Sequence, residues 1–268
     1  EKPRKIGEFE LNKIYCMDAL EGLKKIPDNS VDLILTDPPY NTGMSQKSQI
    51  GRKMGQSAKK PRPFGFFNDN YSEEDYNTLI RNFSSEFFRV LKNNHAGYIF
   101  INWKKLGLWI KGLENAGFFV KNCIVWDKIV HGLNYQNYAY TYELIIFFIK
   151  GSFFPNNKSV KNYYYKDVWN IQRKIDNSQK EGHHETEKLI KVVKIPILHG
   201  TNKGDIVLDP FLGSGTTSVV AKKLGRKYVG IEIDEKFASI SEKRLQRAKK
   251  ETSIQGFVDG IFWERNSL

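Results

Sequence analysis

The chain reads as an α/β protein built on a doubly wound, mostly parallel sheet. Short apolar runs alternate with amphipathic helical stretches along most of its 268 residues, the pattern of strands joined by crossover helices. Two of those runs, Val31–Thr36 (VDLILT) and Ile206–Asp209 (IVLD), have the continuous apolar character of strands covered on both faces. Each leads into turn chemistry at an acid, the first into Asp37-Pro38-Pro39-Tyr40 and the second from Asp209 into a glycine loop.

In chain order, Glu10 to Asp18 alternates in polarity and is expected to be a strand. Ala19 to Ile26 then reads as a short helix, and Pro27-Asp28-Asn29-Ser30 as a turn. Ser72, followed by Glu73 and Glu74, marks a helix N-terminus for a segment running to about Leu91. Ala96 to Asn102 is a strand, Lys105 to Gly117 an amphipathic helix, and Val120–Trp126 and Tyr142–Ile149 are two further strands. Glu185 to about Leu198 reads as a helix. Strand Ile206–Asp209, helix Thr217–Leu224, strand Lys227–Ile233 and a charged helix from Glu235 complete the pattern. The expected organisation is one domain over 1–268, with one half in 10–150 and the other in 184–250. Two stretches interrupt it, a basic loop at 41–70 and an irregular aromatic insert at 151–182.

Composition narrows the function classes. With 40% hydrophobic and 13% aromatic residues the chain can build a large core, which sets it apart from disordered sequences. Lys and Arg number 42 against 30 Asp and Glu, a net charge of +12, and such an excess favours a polyanionic partner. Cys16 and Cys123 form no C-x-x-C pair, so a zinc ribbon, a redox dithiol and a disulfide scaffold are not expected. No metal site is expected, and His183 and His184 lack metal-spaced partners. No run approaches the roughly 18 apolar residues of a membrane span, and Glu-Lys-Pro-Arg-Lys at the start has no apolar stretch behind it. The expected location is the cytosol.

Two motifs carry chemistry. In Asp209-Pro210-Phe211-Leu212-Gly213-Ser214-Gly215-Thr216-Thr217 a strand ends in an acid, a glycine loop follows and a helix begins. The glycines permit close backbone approach to a ligand, and the helix N-terminus offers free N–H groups. Glu232, 17 residues past Gly215, ends the next strand, where a carboxylate can accept hydrogen bonds from both ribose hydroxyls of a nucleoside. The third glycine of a dinucleotide fingerprint and the lysine of a phosphate-binding P-loop are both missing. A tight strand-to-helix turn without a ligand fits the same residues, but the acid at 232 favours the nucleoside.

The second motif is Asp37-Pro38-Pro39-Tyr40. Two prolines stiffen the exit of the strand and remove two backbone donors. What remains is rich in acceptors, beside the flat face of Tyr40, and suits a planar group bearing an NH₂. A rigid turn capped by Asp37 is the plainer alternative.

Together these motifs resemble the S-adenosylmethionine-dependent amino-methyltransferases of DNA, of the restriction–modification type. The order, with the proline motif before the glycine motif, is similar to the β-type arrangement. The resemblance covers most of the chain. It implies a Rossmann-like fold with a seven-stranded sheet containing one antiparallel strand, the C-terminal strands docking beside the N-terminal ones. It places Asp18 near the cofactor adenine. His184-Glu185-Thr186-Glu187-Lys188 resembles the family's H-P-T-x-K segment, although Glu185 and Leu189 stand where prolines are usual. Trp126-Asp127-Lys128 and Tyr142-Glu143 resemble the paired strands that close the sheet.

The implied cofactor set is Asp18, Asp37, Lys188, Asp209, Phe211, Gly213, Ser214, Gly215, Thr216, Thr217 and Glu232. The implied catalytic set is Asp37, Pro38, Pro39 and Tyr40. Asp37 and the Pro38 carbonyl would accept both amine hydrogens of a flipped base and Tyr40 would stack on it. Lys47, Arg52, Lys53, Lys59, Lys60 and Arg62, with no acid among them over 41–63, would grip phosphates of duplex DNA. A solvated loop is the other reading of that segment. The aromatic and basic insert at 151–182 reads equally as a target-recognition element or a satellite core.

D-P-P-Y is more usual for adenine N6 and S-P-P-Y for cytosine N4, so adenine is the leading expectation and cytosine N4 the alternative. Methylation of RNA or of a protein glutamine, and a silent DNA-binding relative, are further alternatives. A cognate restriction endonuclease and a homodimer are possible partners. Cytosine C5 chemistry is disfavoured because neither Cys16 nor Cys123 follows a proline.

Overall fold

A computed structural model describes residues 4–41, 71–129, 138–156, 166–172 and 188–250, with two short paired strands at 257–258 and 261–262. The basic loop, most of the aromatic insert and the segment His183 to Glu187 lie outside the described residues.

The elements in chain order are a small hairpin, β1 (Lys5–Ile6) and β2 (Phe9–Glu10), then β3 (Lys13–Cys16), α1 (Ala19–Lys24), β4 (Val31–Thr36), α2 (Glu73–Val90), β5 (Leu91–Ile101), α3 (Leu106–Asn115), β6 (Phe119–Asp127), β7 (Tyr142–Lys150), β8 (Val168–Asn170), α4 (Ile190–Gly200), β9 (Ile206–Asp209), α5 (Thr216–Lys223), β10 (Lys227–Glu232), α6 (Glu235–Lys250), and β11 (Phe257–Val258) with β12 (Ile261–Phe262). The main sheet has the order β3-β10-β9-β4-β5-β7-β6-β8. Only β7 runs antiparallel to its neighbours; the other pairings are parallel.

The expected doubly wound sheet with one antiparallel strand is therefore present. Among the described residues it has eight strands rather than seven because Val168–Asn170, inside the supposedly irregular insert, pairs along the outer edge of β6. The C-terminal strands dock among the N-terminal ones as expected, β9 against β4 and β10 against β3.

Burial explains the architecture. All six positions of β4 are buried, as its continuous apolar run requires. One core joins Leu33 and Leu35 to Val192, Val193 and Ile197 of α4, Val219 and Val220 of α5 and Leu245 of α6. A second core, on the opposite face, joins Val31 and Ile34 to Leu23 of α1, Phe83 and Phe87 of α2 and Trp109 of α3. From Leu33 to Leu35 successive residues of β4 feed opposite faces, as a pleated strand must, while Val31 joins the face of Ile34 across the irregularity between Val31 and Leu33.

Other expectations shift at their ends. The strand expected over 10–18 breaks at Asn12, whose φ is +67°, leaving β3 shorter. β5 begins at Leu91 rather than Ala96, with a register shift opposite Val31–Leu33. That irregularity brings Lys92 and His95 onto the buried carboxylate of Asp32, at 2.6 and 3.3 Å, while Ile206 N–H donates to its other oxygen at 2.8 Å. Ser72 caps α2 by accepting from Asp75 N–H, as its sequence position predicts. α4 starts at Ile190 and continues through Pro196 to Gly200.

Gly97 of β5 faces Phe148 of β7 across the ladder. A Cβ built on Gly97 would fall against the ring of that fully buried phenylalanine. Gly97→Ala is expected to cost about 1–3 kcal/mol through overpacking, read as a lower midpoint in thermal or urea unfolding. An unchanged midpoint would mean that the ring can move aside.

Candidate active site

The strand order places a topological switch point between β4 and β9. From β4 the chain moves on to β5, and from β9 it moves the opposite way to β10. In open parallel sheets ligands bind in the crevice at the carboxyl ends of strands at such a point. Four of the acids singled out in the sequence lie along this edge: Asp37 after β4, Asp209 ending β9, Glu232 ending β10, and Asp18 just past β3.

Asp209 joins the two halves. Its Oδ1 accepts from the Thr36 hydroxyl at 2.8 Å and from Phe211 N–H at 3.1 Å. Burial pushes its carboxyl up to about 7, with hydrogen bonds from Thr217 and Thr36 pulling the other way. Asp209, Thr216 and Thr217 are all buried, and the Phe211 ring packs 4.8 Å from that of Phe83. These four residues brace the loop.

The loop's open part lies between them. Gly213 and Gly215 have φ of +55° and +86°, a region that favours glycine. A Cβ on Gly215 would strike Ser241 at 2.7 Å, whereas one on Gly213 would meet nothing within 4 Å. Ser241 donates to the Gly213 carbonyl at 2.7 Å. Arg244 of α6 reaches the Ser214 carbonyl at 2.6 Å, the Ser214 hydroxyl at 2.9 Å and the Thr216 hydroxyl at 3.1 Å. The loop is therefore clamped from behind and open in front of Gly213.

Glu232 is held beside it, accepting from Gly213 N–H at 2.7 Å and Asp234 N–H at 2.9 Å. Burial raises its carboxyl, and those backbone donors oppose the rise. Met17 N–H bonds to the Glu232 carbonyl at 3.0 Å, which brings Asp18 alongside. Asp18 is exposed and caps α1 through Oδ1, accepting from Leu20 and Glu21 N–H.

On the other side of the switch point stands Asp37-Pro38-Pro39-Tyr40. Tyr76 of α2 donates to the Pro39 carbonyl at 2.9 Å, and Trp109 of α3 donates to the Tyr76 oxygen at 3.1 Å. This buried chain fixes the turn to the face carrying α2 and α3. The Asn41 side chain exchanges two hydrogen bonds with the Tyr71 backbone, at 3.1 and 2.8 Å, so Asn41 and Tyr71 lie together beside the turn. Its six basic residues, Lys47, Arg52, Lys53, Lys59, Lys60 and Arg62, lie outside the described residues.

The Asp37 carboxylate is half-buried and engaged on both oxygens. Tyr40 donates its hydroxyl to Oδ1, and Lys188 lies 3.1 Å from Oδ2. Lys188 also contacts Glu143 Oε2 at 2.6 Å, and Lys128 contacts Glu143 Oε1 at 2.8 Å. Burial raises the Asp37 carboxyl, with Lys188 working against that rise. Burial also opposes the charge on Lys188, but Asp37 and Glu143 together leave its ammonium above the ordinary value. Glu143 falls to about 2, its burial outweighed by Lys188 and Lys128.

Glu143, Lys128, Thr36 and Arg244 are site residues that the sequence reading did not select. Glu143 carried a signal, being a carboxylate at the start of the otherwise apolar strand Leu144–Ile149. Its register partner is Trp126, two residues before Lys128.

The raised Asp209 carboxyl has a consequence for stability. An acid whose folded value lies above its unfolded one binds its proton more tightly when folded, so its contribution is present below about 4 and is lost as pH rises through about 7. Asp209→Asn keeps an acceptor at Oδ1 and removes this loss. Its stability relative to the parent protein should therefore improve from about pH 4 to about pH 7 and level off above that in urea titrations. A pH-independent difference would contradict a strained Asp209 carboxylate.

The site and fold agree with three comparisons. A model of the N6/N4 DNA methylase family matches residues 31–243. The curated type II methyltransferase M2.DpnII of Streptococcus pneumoniae is 31% identical over 266 residues, covering 91% of this chain and 94% of its own. M2.LlaDCHI of Lactococcus lactis subsp. cremoris is 32% identical over 250 residues, covering 86% and 87%. Among solved structures, the M1.HpyAVI–SAM complex superposes with a TM-score of 0.63 at 25% identity, over 87% of this chain and 98% of that one. The cytosine-N4-specific PvuII DNA methyltransferase superposes with a TM-score of 0.68 at 18% identity, over 88% and 89%, a likeness of fold. With the proline turn and the glycine loop facing each other across one switch point and the family model spanning most of the chain, this protein belongs to the DNA methylases that modify exocyclic amines.

Proposed function

We propose that the protein transfers a methyl group from S-adenosylmethionine to the N6 amine of an adenine flipped out of duplex DNA at a specific sequence. The observation that carries this reading is the placement of Asp37, half-buried and acceptor-rich, next to a loop that opens in front of Gly213.

S-adenosylmethionine, when bound, supplies a methyl group activated by a positively charged sulfur. The residues present fit such a molecule. Space is open at Gly213, and carboxylates at Glu232 and Asp18 flank the loop with acceptor capacity left for hydroxyl and amine donors. Gly213 to Thr217 and Lys188 would border its charged amino-acid end. Asp209 and Phe211 would act through the shape of the loop.

The exocyclic amine of a base is a weak nucleophile because its lone pair is delocalised into the ring. An acceptor that takes an amine hydrogen draws that lone pair onto nitrogen. Asp37 is the charged acceptor and the Pro38 carbonyl the neutral one. The Asp37 carboxylate also stabilises the positive charge that grows on nitrogen during transfer. The proton leaves the nitrogen after the methyl group has arrived. No covalent enzyme intermediate is needed, and the remaining rate enhancement comes from alignment. Tyr40 offers a ring for the flipped base, a contact worth roughly 1–3 kcal/mol.

The six basic residues of 42–70, a segment that in sequence directly follows the proline turn, are the proposed grip on DNA phosphates. The location proposed is the cytoplasm, where the DNA lies, with a cognate endonuclease and a second copy of the chain as possible partners. Cytosine N4 is the second reading, favoured by the likeness in fold to a cytosine-N4-specific enzyme. Adenine is preferred because Asp37 rather than serine opens the tetrapeptide.

Incubation with tritiated S-adenosylmethionine and mixed-sequence unmethylated duplex DNA, followed by nucleoside chromatography, tests both. The expected product is N6-methyldeoxyadenosine, with Asp37→Ala lowering the rate by at least about 10²–10³-fold. Label in N4-methyldeoxycytidine would transfer the proposal to the second reading. Full activity in Asp37→Ala would remove the central role of this carboxylate.

A further inference from the structure

Asp37 is not yet set to stabilise a positively charged amine. Both of its oxygens are engaged, one by the Tyr40 hydroxyl and one by Lys188. A carboxylate neutralised by an ammonium 3.1 Å away is a poor stabiliser of positive charge on a third group, and the ammonium would repel that charge at the same short range. The lysine has to give way for Asp37 to work. Lys188 is largely buried, with its side chain 13% exposed, and a buried ammonium without a partner is costly.

Glu143 removes that cost. Lys188 is already closer to Glu143, at 2.6 Å, than to Asp37, at 3.1 Å. Leaving Asp37 therefore surrenders only the weaker branch of a forked contact. The ring of Phe100, with its centroid 4.6 Å from the ammonium, gives the lysine a further favourable surface away from Asp37. Lys128 occupies the other Glu143 oxygen at 2.8 Å, which keeps the glutamate charged while it holds two cations.

We propose that Glu143 is a positioning residue for methyl transfer: it takes Lys188 over from Asp37 when the target amine enters, freeing Asp37 Oδ2 to accept the amine hydrogen. The row Asp37–Lys188–Glu143–Lys128 alternates in charge, so the shift relocates a contact without stranding an ion. In the resting enzyme the same lysine opposes the rise that burial imposes on the Asp37 carboxyl. Glu143 lies at the start of β7 and Lys128 just past β6, so the device is built on two paired strands, a rigid base for holding charge.

This inference rests on Asp37 as the amine acceptor, and a double-mutant cycle separates the two. Glu143→Gln, Lys188→Met and the double variant are compared in single-turnover and steady-state methylation of duplex DNA at saturating S-adenosylmethionine, with folding checked by circular dichroism and thermal midpoint. The expected result is that Glu143→Gln lowers kcat by tenfold or more with KM for DNA changed less than threefold. Without Glu143, Lys188 stays on Asp37. In the Lys188→Met background the same glutamate change should alter kcat less than twofold, because no lysine remains to be moved.

Equal losses in both backgrounds, or a wild-type kcat in Glu143→Gln, would overturn the proposal. If Glu143→Gln fails to fold, Glu143→Asp shortens the reach to Lys188 by one methylene. It is expected to lower kcat severalfold, again only while Lys188 is present, and the same loss without Lys188 would also overturn the proposal. Full activity in Asp37→Ala would show that the underlying reading has failed. An inactive Asp37→Ala together with independent effects at 143 and 188 would remove this inference alone.

Discussion

The hydrogen bond from Thr36 to Asp209 joins residues 173 positions apart, and the site exists because of it. It sits where β4 and β9 run side by side, so the last residue before the proline turn is tied to the first residue of the glycine loop. A buried carboxylate there is costly, and the high carboxyl value of Asp209 records that cost. Thr36, Phe211 and Thr217 surround it with donors, and that satisfied cluster fixes the relative placement of two segments which must align over one reacting centre. A looser junction would forfeit alignment, from which much of the rate in a reaction without a covalent intermediate has to come.

The same constraint explains why the order of the motifs along the chain is free. A parallel sheet carries every strand's carboxyl end to one edge, whichever strand the chain visits first. Here β9 and β10 insert between β3 and β4, so the C-terminal segment lines the middle of a crevice whose flanks are N-terminal. The N–H of Met17 bonded to the Glu232 carbonyl, and the Thr36 hydroxyl bonded to Asp209, carry this interleaving down to individual groups. Any chain whose ends can be joined elsewhere without disturbing that edge keeps the same chemistry.

How much of this could be read from the sequence depends on how local the physical signal is. VDLILT identifies a strand buried on both faces because six successive positions agree, and Ser72 identifies a helix start because its hydroxyl serves a backbone N–H three residues on. The acids Asp37, Asp209 and Glu232 were recognisable because each ends a strand beside turn chemistry, and a parallel sheet then brings such ends together. β8 was not recognisable, since three residues between polar stretches carry too little pattern. The start of β5 was also hidden, because Lys92, Asn93, Asn94 and His95 look like a loop. They are held in the sheet by the charge of Asp32 from the neighbouring strand, a partner 60 residues away.

Glu143 and Lys128 show the same limit inside the site. Local reading places Lys128 just past one strand and Glu143 at the start of the next, without showing that the two meet. Their meaning comes from the antiparallel register of β6 and β7, which sets Trp126 opposite Glu143 and lets Lys128 reach the carboxylate. The lysine of the glycine-motif half, Lys188, then arrives from a third segment. With Asp37 they make a row of two cations and two anions that no sequence window contains together. A single carboxylate placed in so apolar a crevice would instead take up a proton as burial raised its affinity, and a protonated acid draws little electron density from an amine. Lys188 works against that uptake at Asp37, and the second carboxylate is what lets this protection be withdrawn without leaving a bare cation behind.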